Sequence, residues 1–197
     1  MANGRVITGF SKPFVATYNN NSGAVTYTNG MALARGVNVN IEPEVSDNNI
    51  FYADNIAAET AGGIFMTGTA TLQVDGLFDE AAKFIYGITQ ASEGGGANYY
   101  EYSATDTAPF VGIGYIIRYM SAGVTSYVPM ILKKCRFNVG TISAETQGEN
   151  IDFQSGELTA TVLRDDSTTQ AWRRDYTAQT TERAAESIIK TLFGISE

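Results

Sequence analysis

The sequence predicts a mainly β protein with one short helix and a long loop between two strands. Residues 33–45 and 64–74 alternate apolar and polar side chains, the pattern of strands that bury one face. Twenty glycines, four prolines and many threonines and aromatic residues favour strands and turns over a helical bundle. Because 197 residues with 44% hydrophobic content suit one buried core, residues 1–197 are predicted to form a single domain.

The two alternating stretches each have an apolar and a polar face. The apolar faces, expected to point inward, comprise Leu33, Val37, Val39, Ile41 and Val45, and Ile64, Met66, Ala70, Leu72 and Val74. The polar faces comprise Asn38, Asn40, Glu42 and Glu44, and Thr67, Thr69, Thr71 and Gln73. We expect the apolar faces to build a core, and the short polar groups to line water, a channel or a partner.

A short amphipathic helix is predicted over about 76–87, directly after the second stretch. Its apolar residues at helical spacing are Leu77, Ala81 and Ile85. Asp75 is expected to cap the first amide groups, and Gly87 to end the helix in a left-handed conformation.

The order strand, long loop ("SDNNIFYADNIAAETAGG", 46–63), strand ("IFMTGTATLQV") and helix ("DGLFDEAAKFIYG") resembles the major tail tube protein of long-tailed bacteriophages, in particular the phi13-like family. The likeness extends over 109–137 and more weakly over 156–165. It implies a tail-tube-type β-sandwich or barrel with one flanking α-helix, a long inter-strand loop and terminal arms. Proteins of this kind form six-membered rings, whose stacking makes a conduit for DNA.

The resemblance also implies partners and a location. The expected partners are further copies of the chain and the tape measure, tail terminator and distal tail proteins, while DNA passes without specific binding. The expected location is the virion tail, assembled in the host bacterial cytoplasm, without membrane insertion. In such a tube the eight polar residues of the two strands are expected to face the lumen; the competing interpretation is that they face outside solvent.

The segment 46–63 is longer than most loops without a function. Its apolar residues Phe51, Tyr52 and Ile56 would be exposed in a monomer. We therefore expect contact with a neighbouring ring, the alternative being that the segment folds back onto its own core.

Both ends of the chain are predicted to be arms. Residues 1–12 contain few apolar groups and are expected to form an N-terminal arm. Residues 177–197 are expected to form a C-terminal helix or arm, with Gly194 as its stop signal. The helical face expected to contact a subunit surface comprises Ala185, Ile188, Ile189 and Leu192.

The remaining segments predict further β-structure. A hairpin with a loose turn is expected from 14–18 and 24–28, and a second, clearer hairpin within 111–137. Residues 89–106 are interpreted as a surface loop, and 150–164 as a strand with a bulge near Ser155 and Gly156.

The composition argues against an enzyme. The chain has no histidine, so Ser-His-Asp and Cys-His catalysis and most catalytic zinc sites are excluded. Cys135 is interpreted as a packing residue, and the adjacent carboxylates Asp165 and Asp166 as strand-end residues. No catalytic, cofactor or metal site is predicted.

Two alternative functions remain open at this point. A monomeric β-sandwich that binds a ligand shares the same strand rhythm. A related contractile injection or bacteriocin particle would use the same tube fold. The net charge of −8 argues against a protein that grips phosphate backbones through basic groups.

Overall fold

The computed structural model describes residues 4–93, 97–140, 144, 146 and 154–196. It is mainly β, with 56% strand, 11% helix and antiparallel sheets, in agreement with the predicted class. The strands are β1 (Val6–Asn21), β2 (Ala24–Ala32), β3 (Gly36–Val45), β4 (Asn49–Ala53), β5 (Ile56–Ala61), β6 (Phe65–Val74), β7 (Thr89–Ser92), β8 (Asn98–Glu101), β9 (Val111–Ser121), β10 (Val124–Phe137), β11 (Gly156–Leu163) and β12 (Arg173–Asp175). The helices are α1 (Asp79–Tyr86) and α2 (Glu182–Phe193).

One large antiparallel sheet organises the chain. Its strand order is β2-β1-β9-β10-β11-β6-β3, and β12 pairs with β10 beside β11. Two small hairpins, β4-β5 and β7-β8, form separate sheets. The strands β2 and β3 are therefore the edges of the large sheet.

The sheet wraps around a core on its inner face. The edge strand β3 lies close to β1, since a Cβ atom added to Gly36 would lie 2.2 Å from Cε1 of Phe10. Side chains from five strands and α1 form one buried cluster, which includes Val15, Ala70, Leu72, Val74, Ile85, Ile113, Tyr115, Leu132, Cys135 and Val162. The predicted inward orientation of Ala70, Leu72 and Val74 is confirmed.

A second core lies on the opposite face of the sheet, beneath α2. It comprises Phe14, Ala16, Ile116, Ile131, Ala185, Ile189 and Phe193. Strand β9 is consequently buried on both faces along most of its length. Gly114 permits this close approach, because a Cβ atom at that position would lie 2.6 Å from Cγ2 of Ile189.

Part of the predicted inner face of β3 is wrong. Val37 and Val45 are more than half exposed, because register shifts at Gly36/Asn38 and Glu44/Val45 interrupt the alternation. Leu33 is buried but lies between β2 and β3 instead of within a strand. The predicted inward orientation is confirmed for Leu33, which belongs to the buried cluster, and for the central Val39 and Ile41, which pack against it.

The predicted inner face of β6 is wrong at its beginning. Ile64 precedes the strand, and Met66 lies before Gly68, where pairing with β11 begins. Both side chains are more than half exposed, and a register shift between Glu44 and Val45 leaves Met66 out of the pairing with β3. Phe65 is packed instead, with its ring stacked on Trp172 at a centroid distance of 4.5 Å.

The prediction of an N-terminal arm over residues 1–12 is wrong from Val6 onward. Strand β1 begins there and pairs with β9, for example Val6 with Met120 and Phe10 with Ile117. The strand is stabilised by ladder hydrogen bonds to β9, which a sparse apolar pattern does not reveal. A register shift accompanies the positive φ of Lys12 before Pro13.

Both predicted hairpins are present, and their turns are tight. β1 and β2 are joined by Ser22 and Gly23, and β9 and β10 by Ala122 and Gly123, all with positive φ. The loose turn predicted for the first hairpin is therefore wrong. The loop predicted at 89–106 contains the hairpin β7-β8, and strand β11 begins at Gly156, while residues 150–153 of its predicted range lie outside the described residues.

Helix α1 is shorter than predicted and begins differently. Its N-cap is Phe78, without a side-chain hydrogen bond, while Gly87 ends it at φ 68° as expected. Asp75 does not cap the helix; it accepts hydrogen bonds from the backbone and side chain of Arg35 instead. Arg35, in the segment before β3, thus binds the Asp75 carboxylate in place of the first amide groups of the helix.

Helix α2 closely follows its sequence signals. Thr181 accepts a hydrogen bond from the Ala184 amide at the beginning, and Gly194 has φ 65° at the end. The helix is predicted by local signals alone, whereas its position on the sheet depends on the second core.

Candidate functional site

The eight polar residues predicted from the two alternating stretches lie together on one face of the sheet. Strands β3 and β6 pair so that Asn38 lies opposite Gln73, Asn40 opposite Thr71, Glu42 opposite Thr69, and Glu44 opposite Thr67. Directly opposed residues of an antiparallel pair point to the same side. Within the row, Nδ2 of Asn40 donates a hydrogen bond of 2.8 Å to Oε1 of Glu42.

This polar face continues onto strands that the sequence interpretation did not include. On β11, Glu157 lies opposite Gln73, Thr159 opposite Thr71 and Thr161 opposite Thr69. On β10, Arg136 lies opposite Thr161. The alternation of Thr159 and Thr161 in the β11 sequence was the pattern from which these further residues of the polar face could have been predicted. The face is thus acidic at β3, uncharged across β6 and basic at β10, while β11 contributes Glu157 beside two threonines.

The basic end of the face is partly neutralised. The Nζ atom of Lys134 lies 2.8 Å from a carboxylate oxygen of Asp166, and the guanidinium of Arg136 lies 4.0 Å from the ring centroid of Phe110. Hydrogen bonds from Lys134 and Tyr18 hold the pKa of Asp166 below its usual range. Burial raises the pKa of Tyr18 to about 12, so its hydroxyl remains a donor to Asp166.

The segment 46–63 contains the hairpin β4-β5, which replaces most of the predicted loop. Asp54 and Asn55, both with positive φ, form its two-residue turn. Every residue of its two strands is exposed, so the alternative of folding back onto the core is not realised. Phe51, Tyr52 and Ile56 are 65%, 61% and 69% exposed. Isolated two-stranded hairpins of this kind are marginally stable in water.

The predicted apolar face of α2 divides into two parts. Ala185 and Ile189 are fully buried against the chain's own sheet, in line with Phe193. Ile188 and Leu192 are only half-buried and border an open groove beside Tyr176. A helix presents one narrow stripe to a sheet, and that stripe follows residues 185, 189 and 193.

A buried ion pair joins β10 to the segment after β11. Lys133 contacts Asp165, and the side chains are 8% and 0% exposed. Burial raises the pKa of Asp165, but hydrogen bonds from Lys133 and Ser167 lower it by a larger amount. The pKa of Asp165 therefore lies below its usual range. The interpretation of Asp165 as a simple strand-end residue missed this pair, although a lysine within an apolar strand was its signal.

Cys135 and the acidic side chains were the remaining candidates for reactive or metal-binding groups. Cys135 is fully buried, and burial raises the pKa of its thiol, which suits packing and opposes nucleophilic chemistry. The described residues include no group of three or more cysteine, aspartate or glutamate side chains placed to bind a metal. Among them, too, no helix is sufficiently long and apolar to cross a membrane.

Comparison with known proteins adds no family assignment. No protein-family model matches the chain, and a search of curated proteins finds no significant match.

Acid is expected to destabilise the protein through its buried carboxylate, that of Asp165. Because the folded-state pKa of Asp165 is depressed, its stabilising contribution is complete above its unfolded-state pKa of about 4 and is lost as the pH falls through the folded-state value. We expect Tm to change little between pH 7 and 5 and to fall below about pH 4, measured by circular dichroism. In the double variant Lys133→Met/Asp165→Leu, Tm should decrease less steeply below pH 4. If Tm decreases as steeply as in the wild type, the ion pair is not the cause of the acid sensitivity.

Proposed function

We propose that this chain is the structural subunit of a bacteriophage tail tube, with the tail-tube-type β-sandwich fold, which self-assembles into stacked hexameric rings. The observation that carries the proposal is the polar face at the open edge of the sheet. Four cross-strand pairs of β3 and β6 form it, and the exposed hairpin β4-β5 extends from the same two strands. The expectation that the rings are hexameric comes from the sequence resemblance to tail tube proteins.

The edge strand supports assembly between copies. Within the described residues, β3 is paired to β6 on one side and forms no ladder on the other. Unpaired edges of this length promote association with another strand. In the proposed ring, a neighbouring subunit covers this edge, and strands from all subunits close a continuous inner barrel.

The chemistry of the polar face supports a lumen through which DNA passes. Glu42 and Glu44 are exposed, and the opposed threonines offer no positive charge to a phosphate. Repeated around a ring, these residues give a wall that repels DNA within a Debye length of about 8 to 10 Å. A reconstruction of the tube with Glu42 on its outer wall would contradict this assignment.

The proposal predicts annular particles or rods from the purified protein at increasing concentration, seen by negative-stain microscopy. Phe51→Ser should impair them, because it removes an exposed apolar group of the hairpin that needs a partner surface. Phe78→Ser is the matched control, since Phe78 is 62% exposed but lies at the beginning of α1. We expect both variants to retain the wild-type circular dichroism spectrum.

A protein that stays monomeric at every concentration would contradict the tube and favour the ligand-binding β-sandwich. If Phe51→Ser forms rods as well as the wild type does, the tube proposal stands, but the hairpin does not contribute to the contacts between subunits. On this proposal the chain has no enzymatic activity. Its further partners are the tape measure, tail terminator and distal tail proteins of a virion assembled in the bacterial cytoplasm; a related contractile injection or bacteriocin particle would use the same subunit architecture.

A further inference from the structure

Arg136 is the cation of the polar face that lacks a polar partner. Among the described residues, its Nε atom is a buried side-chain nitrogen without any hydrogen-bond partner, and its guanidinium forms no ion pair with a described carboxylate. The ring of Phe110, 4.0 Å away, supports the guanidinium from one side but accepts no conventional hydrogen bond. A buried donor of a charged group is costly to leave unpaired, so an acceptor from another molecule would stabilise this side chain.

The carboxylates of the polar face are too distant to neutralise Arg136. One row across four adjacent strands comprises Arg136, Thr161, Thr69 and Glu42. Because neighbouring strands are about 4.8 Å apart, the backbone of Glu42 is roughly 14 Å from that of Arg136 along this row. Glu157 lies four residues before Thr161 on β11, which is roughly 13 Å along the strand. The positive charge of Arg136 is therefore isolated at the β10 end of the face.

The surroundings of Arg136 suit an anion with several oxygen atoms. Lys134 lies 4.7 Å from the same Phe110 ring, and its charge is balanced by Asp166, so the two cations around the ring share one carboxylate. The directly opposed Thr161 adds a hydroxyl donor on the same side of the sheet. A guanidinium held against a ring presents its N–H groups as a planar fork, which matches the oxygen atoms of a phosphate.

We propose that Arg136 binds phosphate groups and gives each subunit one contact with the backbone of the DNA that passes along the polar face. The proposal rests on the proposed function, in which this face lines the lumen. The contact carries no sequence information, because the guanidinium meets phosphate oxygens and no base edges. Glu42 and Glu44 repel the same backbone at the β3 end of the face, so the contact is weak and reversible.

Nuclear magnetic resonance of the purified protein tests the contact, because the Nε–H group of each arginine gives its own proton–nitrogen signal. The variant Arg136→Gln assigns the signal of Arg136 by removing it. Inorganic phosphate and a short DNA duplex, added separately, should each shift this signal, since both supply phosphate oxygens. Affinity for the duplex should fall about eightfold for a tenfold rise in salt concentration, the dependence expected for one neutralised phosphate.

Arg118 is the matched control, since it is an exposed arginine that also has no described carboxylate partner. It lies opposite Tyr127, whose side chain packs against the second core beneath α2, and therefore outside the polar face. Its signal should not shift. Arg118→Gln should bind the duplex like the wild type, whereas Arg136→Gln should show no measurable binding.

The titration of the wild-type protein decides the outcome even if Arg136→Gln does not fold. If the Arg136 signal does not shift with the duplex, or the Arg118 signal shifts equally, the DNA contact is overturned. Rods that form from a protein with an unresponsive Arg136 signal would leave the tube proposal intact. If the signal responds but the protein stays monomeric at every concentration, Arg136 binds phosphate and the tube proposal fails.

Discussion

Lys133→Met is expected to lower the free energy of unfolding by about 3 to 5 kcal/mol, the usual cost of leaving one partner of a buried ion pair without its counter-charge. Asp165 would remain fully buried, with Ser167 as its remaining side-chain donor. Methionine keeps the length and apolar stem of lysine, so loss of the charge dominates the effect. Urea unfolding followed by circular dichroism measures the change.

Two further variants identify the cause. The double variant Lys133→Met/Asp165→Leu should recover most of the lost stability, because apolar replacement of a whole buried pair is often neutral or favourable. Lys134→Met should cost less than Lys133→Met, because its partner Asp166 has a 39% exposed side chain. Equal losses for the two single methionine variants would show that burial of the first pair is not what matters.

Ile189→Ala is expected to cost about 2 to 5 kcal/mol, because it removes a side chain from the second core and leaves a cavity between α2 and the sheet. Ile189 is fully buried and lies against the position of Gly114, where β9 accepts no Cβ atom. The surrounding backbone cannot collapse easily into the space. Thermal and urea unfolding of the monomeric protein should both report the loss.

Ile188→Ala is the matched control, since it makes the same change one residue earlier on the same helix. Ile188 is half-buried beside the groove, so its loss should be well below that of Ile189→Ala. Equal destabilisation by the two variants would contradict the orientation of α2. If Ile188→Ala instead impairs assembly without a loss of stability, the groove is a contact between copies.

The stability variants and the assembly variants concern separate parts of the molecule. Lys133 and Ile189 are buried in the wrapped sheet and beneath α2, whereas every residue of the two hairpin strands β4 and β5 is exposed. The hairpin makes no packing contact with either core cluster among the described residues. Substitutions in the hairpin should therefore change association with little effect on unfolding of the monomer.

Local patterns in the sequence determined several elements on their own. The alternation in 33–45 and 64–74 predicted two strands, and the same period of two placed their polar residues on one face. Gly194 marked the end of α2, because a C-cap acts within the last turn of a helix. These features depend only on residues that are close in the sequence, and the sequence alone is therefore sufficient to predict them.

Contacts between distant residues decided the rest. Residues 6–12 became a strand because β9 supplies a ladder, and Val37 and Val45 became exposed because bulges change the register of β3. Lys133 and Asp165, 32 residues apart, meet only when β10 and the segment after β11 are adjacent. Tertiary structure also separated Ile188 from Ile189, since a helical period identifies an apolar face but not the narrow stripe that a neighbouring sheet can cover.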